Sequence, residues 1–99
     1  MGRTRRLERT KKPVLVKIEE IHVPKKDYPP THQFPPISPR FEELKRHMKK
    51  HGQLVPVFLD RDKILIQGHY RLWAWQELGE TFVKALIVLD EKEIAEYFI

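Results

Sequence analysis

A strand-like segment, a glycine and a helix-forming segment follow one another in residues 64–79, and this succession constrains the fold more than any other feature. Residues 64–66 are three consecutive aliphatic side chains, which predict a short buried strand. Gly68 permits a tight turn with room for the close approach of a ligand. Residues 69–78 favour a helix, and Gly79 follows where a helix commonly ends in a left-handed residue.

Arg71 lies one turn into the predicted helix, and its position indicates an anion site. The first turn of a helix carries unpaired N–H groups and the positive end of the helix dipole. Together with a guanidinium, these groups are well suited to bind a phosphate. The alternative is a structural role, in which Gly68 serves only the turn and Arg71 pairs with a carboxylate. The sequence leaves both readings open.

Composition narrows the class of protein. The length of 99 residues is that of one domain with a modest core. The chain has no cysteine, so it offers neither disulfides nor a thiol nucleophile. Charged residues make up 33% of the chain and asparagine is absent, which favours a heat-adapted source. No apolar run reaches membrane-spanning length and no hydrophobic segment follows the basic N-terminus, so a cytoplasmic location is expected.

The net charge of +5 is concentrated in residues 1–12. This segment has six basic side chains against Glu8 alone, whereas residues 13–99 contain 13 basic and 13 acidic side chains. Such a flexible tail contacts nucleic acid, or stays disordered and keeps the chain soluble. Because its arginines outnumber its lysines, DNA is the favoured partner. The basic residues are Arg3, Arg5, Arg6, Arg9, Lys11 and Lys12.

The stretch from Pro24 to Pro39 predicts an irregular loop. Six of its residues are prolines, which remove backbone donors and fix φ. Loops of this length are usually functional lids or disordered segments. Its aromatic residues Tyr28, His32 and Phe34 favour a loop that docks on the body as a lid or a binding surface.

Residues 39–51 predict a helix that begins after Ser38, a suitable N-cap, and closes at Gly52. His47 and His51 are four residues apart, which is the spacing of two metal ligands on one helix face. The sequence places no third ligand beside them, so no metal site is predicted.

The remaining pattern predicts an α/β (α+β) domain with a small mixed or antiparallel sheet and about three helices. Strands are expected at 14–16, 57–59, 64–66 and 82–89, with the second and third as an antiparallel pair. Helices are expected near 39–51, 69–78 and 91–98.

Two of these helices carry more detailed expectations. The helix at 69–78 is expected to bury Leu72, Trp75 and Leu78. Trp73 lies off that line, so it is either a core residue on a second face or an exposed stacking platform. Asp90 is expected to cap the last helix, with Glu93 at the reciprocal position of a capping box.

Three features follow one another within residues 14–90. A strand and loop end in Pro39-Arg40 ahead of a helix, and that helix closes on Gly52 with Pro56 after it. The segment 66–72 then contains a Gly-x-x-Arg box. In this order the features resemble the ParB/sulfiredoxin superfamily, and in particular a ParB-like N-terminal domain.

The resemblance implies a nucleotide-binding domain over residues 13–99. The Gly-x-x-Arg box would lie against the phosphates, and Gly52 to Pro56 near the base or sugar. The residues implied for nucleotide and phosphate binding are Arg40, Gly52, Gln53, Pro56, Gly68, His69, Tyr70 and Arg71. The expected ligand is ATP, ADP or CTP, with or without Mg²⁺.

This sequence departs from the family pattern at several positions, and these departures limit which activities of the family can be expected of this chain. Sulfiredoxin chemistry needs a cysteine where this chain has His69, so that activity is excluded. Partition proteins carry an acidic residue there and a following helix-turn-helix domain, so CTP hydrolysis with clamp closure is not expected from this chain alone. Related kinases use a carboxylate after the first strand. Glu19 or Glu20 stands in that region, with Glu20 as the catalytic candidate, and either is equally explained as a solvated residue.

Three functional hypotheses follow. The first is a nucleotide-binding module that works with DNA, in partition, plasmid or phage biology. The second is a small phosphotransferase or nucleotide hydrolase of the same fold. The third is a protein-interaction module that has lost its ligand and forms a homodimer or binds a partner through its apolar C-terminal helix.

Overall fold

A four-stranded mixed sheet forms the centre of the fold in the computed structural model, which describes residues 7–27 and 38–98. The strands are β1 (Val14–Lys17), β2 (Val57–Leu59), β3 (Leu65–Gln67) and β4 (Phe82–Ile87), in the order β1-β4-β2-β3. β4 pairs antiparallel with β1 and parallel with β2, and β2 pairs antiparallel with β3. The predicted antiparallel pair is confirmed, with its second strand shifted by one residue.

Three helices accompany the sheet in the described ranges: α1 (Pro39–His51), α2 (His69–Glu77) and α3 (Glu91–Tyr97). Their bounds confirm the sequence predictions to within a residue, and helices and sheet together form a small α+β domain. α1 begins as expected, because Ser38 Oγ accepts a hydrogen bond from Phe41 N at 3.1 Å. Local capping signals thus set where this helix starts.

The cap of α3 differs in one bond from the predicted capping box. Asp90 Oδ1 accepts from Lys92 N at 2.9 Å, as expected for an N-cap. Glu93 Oε1, however, accepts from Leu89 N at 3.2 Å, one residue before the cap. The same carboxylate accepts from Arg9 Nε at 2.9 Å. Glu93 is therefore shared between the chain entering α3 and the N-terminal segment.

Alternation along the strands divides the core between the two faces of the sheet. On one face, Val57 and Val83 pack in a cluster with Leu72 of α2. On the other face, Phe58 packs in a cluster with Ile94 of α3. The domain therefore has α1 and α2 on one side of the sheet and α3 on the other.

α2 is covered on two sides, and this decides which of its side chains are buried. Leu72 packs against the sheet, and Trp73 packs against α1. Trp73 is therefore a core residue, whereas Trp75 and Leu78 are only half-buried. Full burial was correctly predicted for Leu72 only, since Trp75 and Leu78 pack against the cluster of Phe41, Met48, Trp73 and Ala74 but stay partly exposed. Trp75 Nε1 donates to Phe82 O at 2.8 Å, which ties the end of the helix to β4.

The predicted loop between Pro24 and Pro39 is described only at its ends. Lys25–Asp27 form a short 3₁₀ turn, and α1 begins at Pro39. Residues 28–37, with the aromatic side chains expected to dock there, lie outside the described residues. The lid therefore stays a prediction.

Candidate functional site

Gly68 joins β3 to α2 in a conformation that strongly disfavours a side chain. Its φ is 104°, and a Cβ at this position would lie 3.0 Å from Val57 Cα. α2 therefore starts in direct contact with β2. Leu72 N donates to Gly68 O at 2.9 Å, so the N–H groups of residues 69–71 precede the first helical bond and have no partner within the helix.

A cleft of about 710 Å³ opens between α1 and the start of α2, and it is referred to below as the basic cleft. It contains four cationic side chains and one carboxylate, together with two histidines and a tyrosine. The lining residues are Arg40, Glu43, Leu44, Arg46, His47, Lys50, His51, Tyr70 and Arg71. Four cations less one carboxylate give a formal charge of +3, which is complementary to a polyanion.

Arg71 is half-buried in the wall of the basic cleft. Within residues 7–27 and 38–98, its guanidinium makes no hydrogen bond or ion pair. A structural carboxylate partner for Arg71 is thus not found in this part of the chain. Because like charges grouped in a cleft repel one another, an anion bound among them would relieve the repulsion.

A smaller pocket of about 180 Å³ adjoins the basic cleft and shares Leu44, His47 and Arg71 with it. The rest of its lining comes from the end of α1 and the chain that follows. These residues are Met48, Gly52, Gln53, Leu54 and Val55. A largely apolar pocket continuous with a cationic cleft is suited to a ligand with one charged and one uncharged end.

Two residues implied near the base or sugar also have structural roles, although Gln53 lines the smaller pocket as well. Pro56 is fully buried in the core. Gln53 is 5% exposed, and its amide pairs with backbone groups. Its Nε2 donates to Val55 O at 3.1 Å and to Lys84 O at 2.9 Å, while its Oε1 accepts from Lys84 N at 2.8 Å. The Gln53 side chain therefore holds the chain after α1 against β4.

His69 pairs with Asp27 at the first position of α2. Nε2 of His69 lies 2.9 Å from Oδ2 of Asp27, and each side chain is about a quarter exposed. Asp27 ends the 3₁₀ turn before the undescribed residues, so this contact joins that turn to α2. Of the four residues of the Gly-x-x-Arg box, Tyr70 and Arg71 line the basic cleft, and Gly68 and His69 lie beside it.

Glu20, the catalytic candidate, is engaged away from the basic cleft. Lys63 Nζ donates to Glu20 Oε1. This hydrogen bond and the charge of Lys63 lower the pKa of Glu20 from its ordinary value. Lys63 itself is 9% exposed and has a φ of 63° in the turn between β2 and β3. The ion pair therefore links the 3₁₀ turn after β1 to this turn.

The N-terminal segment lies against the body at residues 7–10. Thr10 N donates to Ile87 O at 3.1 Å, and Thr10 Oγ1 accepts from Ile87 N at 3.0 Å. Leu7 N donates to Arg61 O at 2.8 Å. The expectation of a flexible tail as far as residue 12 therefore differs from the structure at residues 7–10, because their backbone pairs with the end of β4 and the turn after β2.

The structure describes three of the six basic side chains that are expected to contact nucleic acid. Arg9 forms an ion pair with Glu93 at 2.9 Å. Lys11 and Lys12 are exposed. The remaining three, Arg3, Arg5 and Arg6, lie outside the described residues.

Several neighbours of the site were not predicted from the sequence. Arg46, His47, Lys50 and His51 were predicted on α1, but their packing toward Arg71 was not. A signal existed, because these residues recur at spacings of three and four along one flank of the helix. The pairing of Asp27 with His69 had no signal, since 42 residues separate them.

The described residues contain neither a metal-ligand cluster nor a membrane-spanning helix. In the described part of the chain, no group of three or more His, Cys, Asp or Glu side chains is placed to hold a metal ion. Nor do these residues include a helix with the length and apolar character needed to cross a membrane.

Comparison with known proteins identifies the fold. No protein-family model and no curated protein matches the sequence. Among solved structures, a Pnob8-like ParB N-domain matches with a TM-score of 0.62 and 26% identity, over 82% of this chain and 31% of that chain.

Two further structures extend the similarity. The C-terminally truncated chromosome-partitioning protein ParB from Caulobacter crescentus, in complex with CTP-γ-S, matches with a TM-score of 0.61 and 18% identity, over 79% of this chain and 44% of that chain. Sulfiredoxin from Arabidopsis thaliana matches with a TM-score of 0.62 and 19% identity, over 88% and 97%. This chain thus spans less than half of either ParB protein but nearly all of the sulfiredoxin. It has the ParB/sulfiredoxin-like fold.

Proposed function

We propose that this protein is a ParB-like nucleotide-binding module that holds the phosphates of a nucleotide in the basic cleft. The observation that carries the proposal is the convergence of four cationic side chains beside the first turn of α2: Arg40, Arg46, Lys50 and Arg71. The guanidinium of Arg71 makes no hydrogen bond or ion pair to another described residue, which leaves its five N–H donors available to phosphate oxygens.

The adjoining pocket supports a nucleotide over a simple phosphate. It opens from the basic cleft at Arg71, and Leu44, Met48 and Leu54 make much of its wall apolar. Phosphates placed beside Arg71 would leave the sugar or base at this pocket. The CTP-γ-S complex of the Caulobacter ParB supports the same ligand class.

A thermal-shift panel of ATP, ADP, CTP and GTP with Mg²⁺ tests the proposal. A nucleotide present at about 100 times its dissociation constant stabilises the fold by roughly 2.7 kcal/mol. Arg71→Ala should lower the affinity roughly tenfold to a hundredfold, because it removes a charge-assisted, bidentate contact.

Lys49→Ala is the matched control for this experiment. Lys49 is an exposed cation on α1 that does not line the basic cleft, so its loss should leave the affinity nearly unchanged. Equal binding by the parent and by Arg71→Ala would place the site elsewhere.

We further propose that the module works with DNA, in partition, plasmid or phage biology. The supporting observation is the charge of +5 in residues 1–12 beside a formally neutral remainder. Binding of this segment to DNA phosphates would be independent of base sequence and sensitive to salt.

Release of phosphate from the nucleotides of the thermal-shift panel would favour the hydrolase or phosphotransferase hypothesis. Glu20 gives no support for that hypothesis, because it is paired with Lys63 away from the basic cleft.

A further inference from the structure

The basic cleft contains two histidines that the nucleotide-binding proposal does not use. His47 and His51 project from successive turns of α1, with ring centroids 4.6 Å apart and ring planes at 44°. Both side chains are exposed and both line the cleft. His47 also lines the adjoining pocket beside Arg71, so it stands where the charged and uncharged ends of a ligand would meet.

The surroundings of the two rings favour an anion over a metal ion. The other charged or polar residues that line the cleft with them are Arg40, Glu43, Arg46 and Lys50 of α1, and Tyr70 and Arg71 of α2. Cations outnumber the single carboxylate in this set, which disfavours a bound metal ion. Moreover, no third His, Cys, Asp or Glu joins the pair as a metal ligand within residues 7–27 and 38–98.

An imidazole can change its charge between about pH 5 and 8, unlike the arginines and lysines around it. In the protonated form both ring nitrogens donate hydrogen bonds. Phosphate oxygens placed between the rings and the guanidinium of Arg71 would favour that form, because a nearby negative charge stabilises the cation.

Building on the proposed function, we propose that His47 and His51 bind phosphate in the basic cleft and take up protons when a nucleotide polyphosphate binds. The formal charge of the cleft, +3 from its four cations and Glu43, rises with each proton taken up. The cleft therefore selects triphosphates over monophosphates, and this preference grows as the pH falls.

Calorimetry of CTP and ATP binding, in two buffers of different ionisation enthalpy near pH 7, measures the proton uptake directly. The parent should take up about one proton per nucleotide. The double variant His47→Gln/His51→Gln should take up none, since glutamine keeps a polar side chain but cannot be protonated. Titration of the nucleotide's own phosphate is common to both proteins and cancels in the comparison.

The pH dependence of the affinity gives a second measurement. Because binding linked to one proton changes the binding constant by up to about tenfold per pH unit, the parent should bind CTP about tenfold more tightly near pH 6 than near pH 8. The double variant should lose most of this dependence, and with it the growing preference for CTP over CMP. His22→Gln is the control, because His22 is exposed and does not line the basic cleft.

The outcomes separate this inference from the proposed function. Equal proton uptake by the parent and the double variant would assign the proton elsewhere, such as to His69, and would overturn the role of the pair while leaving the nucleotide site in place. Absence of nucleotide binding by the parent would overturn the proposed function itself. Both histidines are exposed, so the variants should keep the unfolding curve of the parent. If the double variant unfolds more easily than the parent, the single variants His47→Gln and His51→Gln are used to repeat the measurement.

Discussion

The side-chain amide of Gln53 pairs with the backbone of Lys84 in both directions, accepting from its N–H at 2.8 Å and donating to its C=O at 2.9 Å. β2 starts at Val57, which pairs with Ala85, the next residue of β4. The Gln53 amide therefore takes the place of a strand residue at a position that β2 has not yet reached. It closes the edge of the parallel pair and fixes where the chain leaves α1.

Gln53→Ala should destabilise the fold by about 2–3 kcal/mol, because it leaves buried or part-buried backbone groups of Lys84 and Val55 without partners. Urea denaturation measures the change. Gln76→Ala is the control, since Gln76 is exposed on α2 and should change the stability little. A Gln53→Ala protein as stable as the parent would show that water replaces the amide without loss.

Gly68→Ala should destabilise more than Gly79→Ala. Both glycines have positive φ, 104° and 83°, where an alanine is strained. Of the two, Gly68 is the one whose new Cβ would meet another residue, at 3.0 Å from Val57, whereas at Gly79 no described residue beyond the chain neighbours lies within 4 Å. We expect about 1–2 kcal/mol for Gly79→Ala and roughly 1–3 kcal/mol more for Gly68→Ala. Equal losses of stability in the two variants would mean that β2 shifts away from the new Cβ at position 68 at little cost in free energy.

The Glu20–Lys63 ion pair should make stability depend on pH at the acidic end. The hydrogen bond and charge of Lys63 lower the pKa of Glu20 below its ordinary value of 4.5. A lowered pKa in the folded state stabilises the protein above that ordinary value, and the contribution is lost as the pH falls through the lowered pKa.

Glu20→Gln should therefore be less stable than the parent at neutral pH, and the difference should shrink as the pH falls below the ordinary value of 4.5 and through the lowered pKa of Glu20. Denaturation midpoints across this range give the measurement. Glu19→Gln is the control, because Glu19 is exposed and forms no ion pair with another described residue. A difference that persists unchanged at acidic pH would indicate a packing effect and not an ionic one.

Replacing Arg3, Arg5 and Arg6 together by glutamine should weaken duplex DNA binding without unfolding the domain. Each phosphate that is no longer neutralised reduces the slope of log K against log salt by about 0.9, so the slope should become shallower by roughly three. Nucleotide affinity should not change, because the proposal assigns the nucleotide to the basic cleft and DNA to the tail, and sites that share no partners act independently. This variant is preferable to deleting residues 1–12, because Leu7 and Thr10 hydrogen-bond to the body.

The control for that experiment replaces Lys25, Lys26 and Lys92, three exposed lysines of the body, by glutamine. Their loss should leave the salt slope close to that of the parent. If the lysine variant flattens the slope and the arginine variant does not, the DNA surface lies on the body.

Features set by local signals could be predicted from the sequence. Ser38 and Asp90 cap their helices through bonds to residues two or three positions away, so neighbouring residues determine where α1 and α3 begin. The turn at Gly68 follows from one residue type at one position. Such signals do not depend on how the elements pack.

Features set by packing could not be predicted in the same way. The basic cleft needs α1 and α2 to lie side by side, so the sequence indicated Arg71 as a candidate without its neighbours on α1. The same packing decides between the two readings of Trp73 that the sequence left open, and makes it a core residue on a second face of α2. Gln53 reaches Lys84 across 31 residues, and no pattern in the sequence distinguishes a structural amide from one that contacts a ligand.

The contact of Gly68 with Val57 has a thermodynamic consequence for any ligand of α2. The helix is fixed to β2 at its start, and at its other end Trp75 is bonded to Phe82 of β4. The N–H groups of the first turn of α2 are therefore already oriented before a ligand binds. Ordering them adds no free-energy cost to binding. The conformational entropy that the protein loses on binding therefore comes mainly from the side chains of the cleft, of which Arg71 and the cations of α1 are the longest.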